Sequence, residues 1–250
     1  MRIPVVAGTI DRRILINYRV ELSVLRKMLP SPFRPTIVEG YGIAGIDLLR
    51  FKNLRVKGLP NYLGYTSENA AHRISVEWDE LGETRRGIYT PRLDTDSFTT
   101  TLVGGRVFPG LHHRSKFKFI EAEDRFKISL KCGGEMMVEL EAKLRDRFPM
   151  ESIFRTLPKA SRFFAEDRVA YSPRFRTSIF DGVQLKCRRW KLEPLQVTSL
   201  SSQYFEQASL FPKGSIFFDH ASIMRDIEHE WHSRGELIAS RPIRLGGFLL

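Results

Sequence analysis

A chain of 250 residues with 42% apolar and 28% charged side chains has the balance of a folded globular protein and enough length for a sizeable core. Its two cysteines, Cys132 and Cys187, exclude a disulfide framework and a cysteine-rich zinc site, and no apolar run reaches the ~20 residues a membrane-spanning helix needs. A net charge of +11 admits an anionic partner, but the basic residues are spread without a long run, which favours a small-molecule ligand over nucleic acid.

In chain order, the opening MRIPVVAGTIDRR is broken by Pro4 and Gly8 and is not expected to be a secretory leader. Leu22, Leu25, Met28 and Leu29 recur at helical spacing, and Pro30 and Pro32 stop that helix. Alternation predicts strands over 43–52 and 73–78, and residues 94–103 read as a short helix before Gly104-Gly105. Three alternating runs follow, at 114–119, 125–131 and 135–144, linked by Glu121-Ala122-Glu123-Asp124 and Cys132-Gly133-Gly134. They predict an antiparallel meander with one wet face, on which Lys116, Lys118, Lys127 and Glu139 are solvated charges. A second helix is expected over 157–165 and extended chain over 184–190 and 194–204, while 218–231 fits helix or strand alike. With no linker or repeat, residues 1–250 read as one domain of β-rich α+β class with a few short helices. The reducing cytoplasm is the expected location, and the oligomeric state, including a homo-oligomer, stays open.

Three further features could carry chemistry. GGRVFPGLHH, residues 104–113, ends in His112-His113, which on a strand would point to opposite faces. It reads as a turn before a surface strand, as acid–base groups, or as metal ligands. Lys186, Arg188, Arg189 and Lys191 form the densest basic group. His229 and His232 would share a face on a helix, as zinc ligands can, although the spacing is one residue short of His-Glu-x-x-His.

Two stretches resemble the acetoacetate decarboxylases. Asp11-Arg12-Arg13-Ile14-Leu15-Ile16-Asn17-Tyr18-Arg19, with Leu25-Arg26-Lys27-Met28-Leu29-Pro30-Ser31-Pro32 after it, is similar to that family's N-terminal segment. Leu63-Gly64-Tyr65-Thr66-Ser67-Glu68 is similar to its aromatic-x-Glu element. Ser67-Glu68-Asn69 and Ile227-Glu228-His229-Glu230-Trp231 resemble the DUF2071 branch of the same superfamily. The resemblance is concentrated in residues 1–115. It implies a closed antiparallel β-barrel or cone with a central pocket, and no cofactor or metal. In the decarboxylases one pocket lysine forms a Schiff base, and a neighbouring lysine lowers its pKa.

Carried over residue by residue, the resemblance assigns the family's arginine to Arg12, its glutamate to Glu68 and a second acid to Asp47. The lysine pair falls on His112-His113, so the nucleophile is replaced by imidazole. Lys116 is the nearest amine that could stand in. The expected site therefore has Glu68, His112 and His113 as catalytic acid–base groups, and Arg12, Asp47, Asn69 and Arg106 as substrate-binding groups. The ligand implied is a small carboxylate-bearing or carbonyl-bearing molecule, handled by lyase-like chemistry without an imine. For Arg12 an exposed turn, for Asp47 a structural pair with Arg73 or Arg50, and for Arg106 a pair with Asp94 or Asp96 are the competing structural roles. The 18 phenylalanines keep open a non-catalytic protein that holds an apolar ligand.

Overall fold

A computed structural model describes residues 4–97, 110, 112–174 and 177–239. Thirteen strands make up most of it: β1 (Val6–Glu21), β2 (Arg34–Pro35), β3 (Ile37–Val38), β4 (Tyr41–Val56), β5 (Tyr65–Glu80), β6 (Glu83–Thr95), β7 (His112–Ala122), β8 (Arg125–Cys132), β9 (Glu135–Leu144), β10 (Val169–Pro173), β11 (Ile179–Cys187), β12 (Glu193–Ser202) and β13 (Ile216–Ile238). The helices are α1 (Leu22–Met28), α2 (Leu157–Glu166) and α3 (Gln203–Glu206), with a 3-10 turn at Asn61–Leu63.

All strands belong to one sheet in the order β11-β10-β6-β7-β8-β9-β12-β13-β1-β4-β5-β2, with β3 on β4. Additional pairings of β11 with β13 and of β6 with β5 bring the sheet back on itself. The strands are not spaced evenly round one axis, so the pairings establish a strand-rich sheet that returns on itself and not the closed barrel or cone expected from the resemblance.

The five strands β13, β1, β4, β5 and β6 run in series, and two cores cover the opposite faces of β1 and β4. That explains why β1 is buried almost without interruption from Arg12 to Tyr18. Ile14, Ile16 and Tyr18 join Ile46, Leu48 and Ile74 in one core, roofed by Phe126, Leu130 and Leu140 of the meander and by Tyr204 and Phe205 of α3. Leu15, Leu49 and Phe51 join a second core with Phe154 and with Phe163 and Phe164 of α2. A strand buried on both faces loses the apolar/polar alternation that marks a one-sided strand.

The meander forms as the alternation predicts. The Gly133-Gly134 link is a two-residue hairpin with both residues at positive φ, a geometry glycine adopts without steric cost. Lys127 Nζ lies 2.5 Å from Glu141 on its wet face. Helices α1 and α2 form at the expected places. Residues 94–103 depart from the expected helix: Asp94 and Thr95 end strand β6, pairing with Ala70 and Asn69 on one side and with His113 and Arg114 on the other. Residues 98–103 lie outside the described residues. The ambiguous 218–231 segment is strand, the centre of β13, which pairs with β1 along most of its length.

Candidate functional site

Between β4, β5, β6 and the β10–β11 pair lies a cavity of about 140 Å³. Its walls are mostly apolar: Leu49, Phe51 and Leu54 from β4, Ile88 and Leu93 from β6, Val183 from β11. Into these walls are set Arg13, Asp47, Asn69, Arg73 and His112.

Strand register brings the charged groups together. Arg13 pairs with Leu49, which pairs with Asn69; Asp47 pairs with Ala71, and Arg73 with Gly45. All these side chains rise on one face, two residues apart along each strand. Arg13 donates from Nε and Nη2 to Asp47 Oδ2 at 3.1 and 2.6 Å. Arg73 Nε donates to Asp47 Oδ1 at 2.7 Å. One carboxylate thus serves two buried guanidiniums. Burial alone would push the Asp47 carboxyl up; the two arginines outweigh this and hold it below the usual carboxylate range. Gly45 gives Arg73 its room, because a Cβ there would stand 3.1 Å from the Arg73 Nη2 and 2.3 Å from the Ile16 carbonyl.

Behind Arg73 runs a chain of buried polar groups. Its Nη2 donates to Asn17 Oδ1. Asn17 Nδ2 sits 3.0 Å from His220 Nε2, and His220 Nδ1 sits 2.6 Å from Asp219 Oδ2. Asp219 also accepts from the Ser152 hydroxyl at 2.6 Å and the Ile153 N–H at 3.0 Å. Burial favours a neutral carboxyl at Asp219, but these donors more than offset it and the group is held low. An ionised Asp219 requires the His220 proton on Nδ1. Nε2 is then an acceptor, the Asn17 amide must donate to it, and Asn17 Oδ1 is left facing Arg73. Arg73 is therefore positioned by a series of bonds each of which sets the next. Its Nη1 is buried and meets no acceptor.

His112 also lines the cavity, and its Nδ1 is buried without a partner. Burial, reinforced by neighbouring His113, lowers its pKa to about 4, so the imidazole is neutral at neutral pH.

The candidate residues divide across the central sheet. Asp47, Asn69 and His112 line the cavity; Arg12, Glu68 and His113 do not, because each is the chain neighbour of a cavity-facing residue and so projects from the opposite face. Arg12 is buried there, correcting the exposed-turn alternative. Its Nη2 donates to Glu68 Oε2 at 2.8 Å, and Arg50 Nε donates to Glu68 Oε1 at 2.5 Å. Arg12 lies 3.2 Å over the ring of Phe119. Glu68 is thereby occupied by two structural partners. His113 stands opposite Asp94, whose carboxylate is already bonded by Arg92 and Ser115. Arg106 lies outside the described residues. Lys116 is exposed on β7 and is not part of the cavity wall.

Of the side chains that complete the site, Arg73 was expected only as a structural partner of Asp47, and that pair forms; Arg13, Asn17 and His220 were given no role at this site. Arg13, Leu15 and Asn17 alternate with Ile14 and Ile16, and that two-residue period was their only local signal. His229 and His232, three apart on a strand rather than a helix, face opposite ways. His229 packs on Phe51, and His232 Nε2 lies 2.8 Å from Glu230.

Residues 8–222 match the model of the DUF2071 family, described as an uncharacterized conserved protein. The chain belongs to the DUF2071 family. A search of curated proteins finds no match. Among solved structures, this DUF2071 chain is similar to an acetoacetate decarboxylase from Legionella pneumophila, with a TM-score of 0.61 at 12% identity over 93% of this chain and 88% of that one. It is similar to the enduracididine biosynthesis enzyme MppR in complex with pyruvate, with a TM-score of 0.61 at 12% identity, covering 95% and 91%. An acetoacetate decarboxylase-like enzyme from Sphingomonas wittichii RW1 gives 0.60 at 11% identity, covering 96% and 94%. Identities this low establish the fold, which is acetoacetate decarboxylase-like.

Proposed function

We propose that this DUF2071 protein binds a small carboxylate-bearing or carbonyl-bearing molecule in the cavity, as a single domain whose strands act as a closed cone around the ligand. One observation carries the reading: two buried arginines share one carboxylate, and Arg73 Nη1 still lacks an acceptor. A buried cation without a full set of acceptors is costly. An incoming carboxylate or polarised carbonyl oxygen supplies what is missing, and arginine is suited to such oxygens. The volume suits a ligand of about benzene's size, which is known to occupy a cavity of ~150 Å³.

His112 is the acid–base candidate, because a neutral imidazole can accept a proton from a bound molecule at neutral pH. Asn69 can orient the ligand's polar end. Imine chemistry is not part of the proposal: no lysine lies among the described lining residues, and 98–111 contains none. Glu68, Arg12 and His113 hold the sheet around the site rather than touch the ligand. A reducing cytoplasm is the setting proposed for this activity.

Pyruvate, the molecule bound in the MppR structure, is the first probe. Calorimetric titration should show saturable binding that Arg73→Met weakens about tenfold or more, the scale of one lost charge-assisted hydrogen-bond pair. Equal affinity in the variant would overturn the assignment. Borohydride added with pyruvate should leave the protein mass unchanged; a reduced lysine adduct would restore the imine route. The largely apolar wall supports a second reading, a non-catalytic carrier of an apolar molecule. Native mass spectrometry showing a retained fatty or aromatic compound would favour it.

A further inference from the structure

Two sequence features left unused by the cavity, the basic group at 186–191 and the His229/His232 region, meet at one place. The start of β1 (Ala7, Gly8, Thr9), the end of β4 (Asn53, Arg55), the end of β11 (Lys186, Cys187, Arg188) and β13 (Glu228, His229, Glu230) surround a polar basin of about 580 Å³. This lies within the size range of small-molecule sites. Asn61 of the 3-10 turn completes the rim.

The charge in the basin is unbalanced. Arg55, Lys186 and Arg188 are set against Glu228 and Glu230. Lys186 stands opposite Glu230 in the β11–β13 ladder, but Glu230 is already engaged by Lys57 Nζ at 2.7 Å and His232 Nε2 at 2.8 Å. Arg55 is tethered to the basin floor, its Nε and Nη1 donating to the carbonyls of Leu59 and Asn53. In the same wall His229 is 3% exposed, and neither ring nitrogen has a hydrogen-bond partner. The Gly8 and Ile227 carbonyls are close enough to favour a proton on the ring, without hydrogen-bond geometry. Its ring is tilted 30° to Phe51 and meets Trp231 edge to face, at 5.3 and 6.1 Å between centroids. A buried polar ring without partners is the exception in folded proteins.

We propose that this basin is a second site, for a phosphate-bearing small molecule. The cations of Arg55, Lys186 and Arg188 surround the phosphate oxygens, the Asn53 and Asn61 amides donate to them, and the neutral His229 ring donates its single N–H. A phosphate fits better than a simple carboxylate because it offers more oxygens to the three lining cations and the two asparagine amides. The basin shares no lining residue with the Arg13–Asp47–Arg73 cavity, but His229 stands between the two, packed on Phe51 and Trp231 of the cavity wall and within electrostatic reach of Arg13.

The test is calorimetric titration of the full chain with pyrophosphate and with inorganic phosphate at low ionic strength. Saturable binding at a single site is expected. Lys186→Gln with Arg188→Gln should weaken it about tenfold or more at an unchanged melting midpoint. Lys118→Gln with Lys127→Gln removes the same charge from the meander and should leave affinity within about twofold, because neither lysine lines the basin. His229→Phe keeps the ring contacts and should weaken binding by a smaller factor. Arg73→Met should not matter. Absence of saturable binding overturns the proposal, as does equal weakening by both double variants, which would mean attraction to net charge alone. Retention of a short single-stranded RNA, with no saturable pyrophosphate binding, would overturn the small-molecule assignment as well.

Discussion

Two ion clusters lie back to back across β1, β4 and β5, built from nearly the same residue types. On one face Arg12 and Arg50 share Glu68, with Glu121 3.8 Å from Arg12 and Asp11 3.8 Å from Arg50. The ring of Phe119 covers Arg12. On the other face Arg13 and Arg73 share Asp47 alone, and next to them is a cavity. The first cluster has three acids around its two arginines, although Arg12 Nε and Nη1 are buried without an acceptor. The second has one carboxylate for two arginines and stands beside the cavity. What separates them is the empty volume next to the second, not the presence of paired charges or of an unfilled donor.

The largest effect that separates the faces should come from Asp47→Asn. It leaves two buried guanidiniums without a carboxylate and should cost ~3–5 kcal/mol in chemical denaturation, while abolishing the pyruvate response. Glu68→Gln keeps one acceptor oxygen, turns an NH2 donor toward the other arginine, and should cost ~1–3 kcal/mol with pyruvate affinity unchanged. If Glu68→Gln removes binding and Asp47→Asn does not, the functional face has been assigned the wrong way round.

Acid should weaken the fold through the buried histidines. His72, packed 4.6 Å from Tyr204, is lowered by burial to about 4, below the ordinary 6.5. The unfolded chain therefore binds more protons between those values, and the stability this group contributes is present above pH 6.5 and lost as pH falls towards 4. The contribution is on the order of 2–3 kcal/mol. Unfolding free energies measured at pH 7 and pH 4.5 should differ less in His72→Phe than in the natural chain; an identical pH slope would contradict the buried neutral imidazole.

Asn17→Ala tests the positioning chain at a smaller scale. It should cost ~1–3 kcal/mol and weaken pyruvate binding, while Asn17→Ser recovers part of the binding. A stability loss with binding intact would make Asn17 purely structural. At the bottom of the range, Lys127→Gln on the wet face should leave the melting midpoint within error, because an exposed pair gains little over its hydration.

Much of the fold was legible. The meander could be read because one face is wet, so its alternation survives in residues such as Phe126, Ile128 and Leu130 between Arg125, Lys127 and Lys131. The helix expected over 157–165 forms at Leu157–Glu166. Strand β13 could not be read, because a strand covered on both sides carries no period-two signal. The same physics explains the site. Asp47, Asn69 and His112 were found from the resemblance and from polarity in apolar surroundings. Their neighbours Arg12, Glu68 and His113 were grouped with them because a linear motif does not record which way a strand faces.

By itself, the sequence determined a strand-rich fold, a family and a surplus of positive charge, since these follow from residue types and short-range spacing. Only the tertiary structure decided that Arg13 rather than Arg12 shares a cavity with Asp47 and Arg73, and that Asn17 and His220 stand behind them. Those groups come from strands far apart in the chain. Their meeting depends on cross-strand register, where a shift of one residue turns every side chain to the other face.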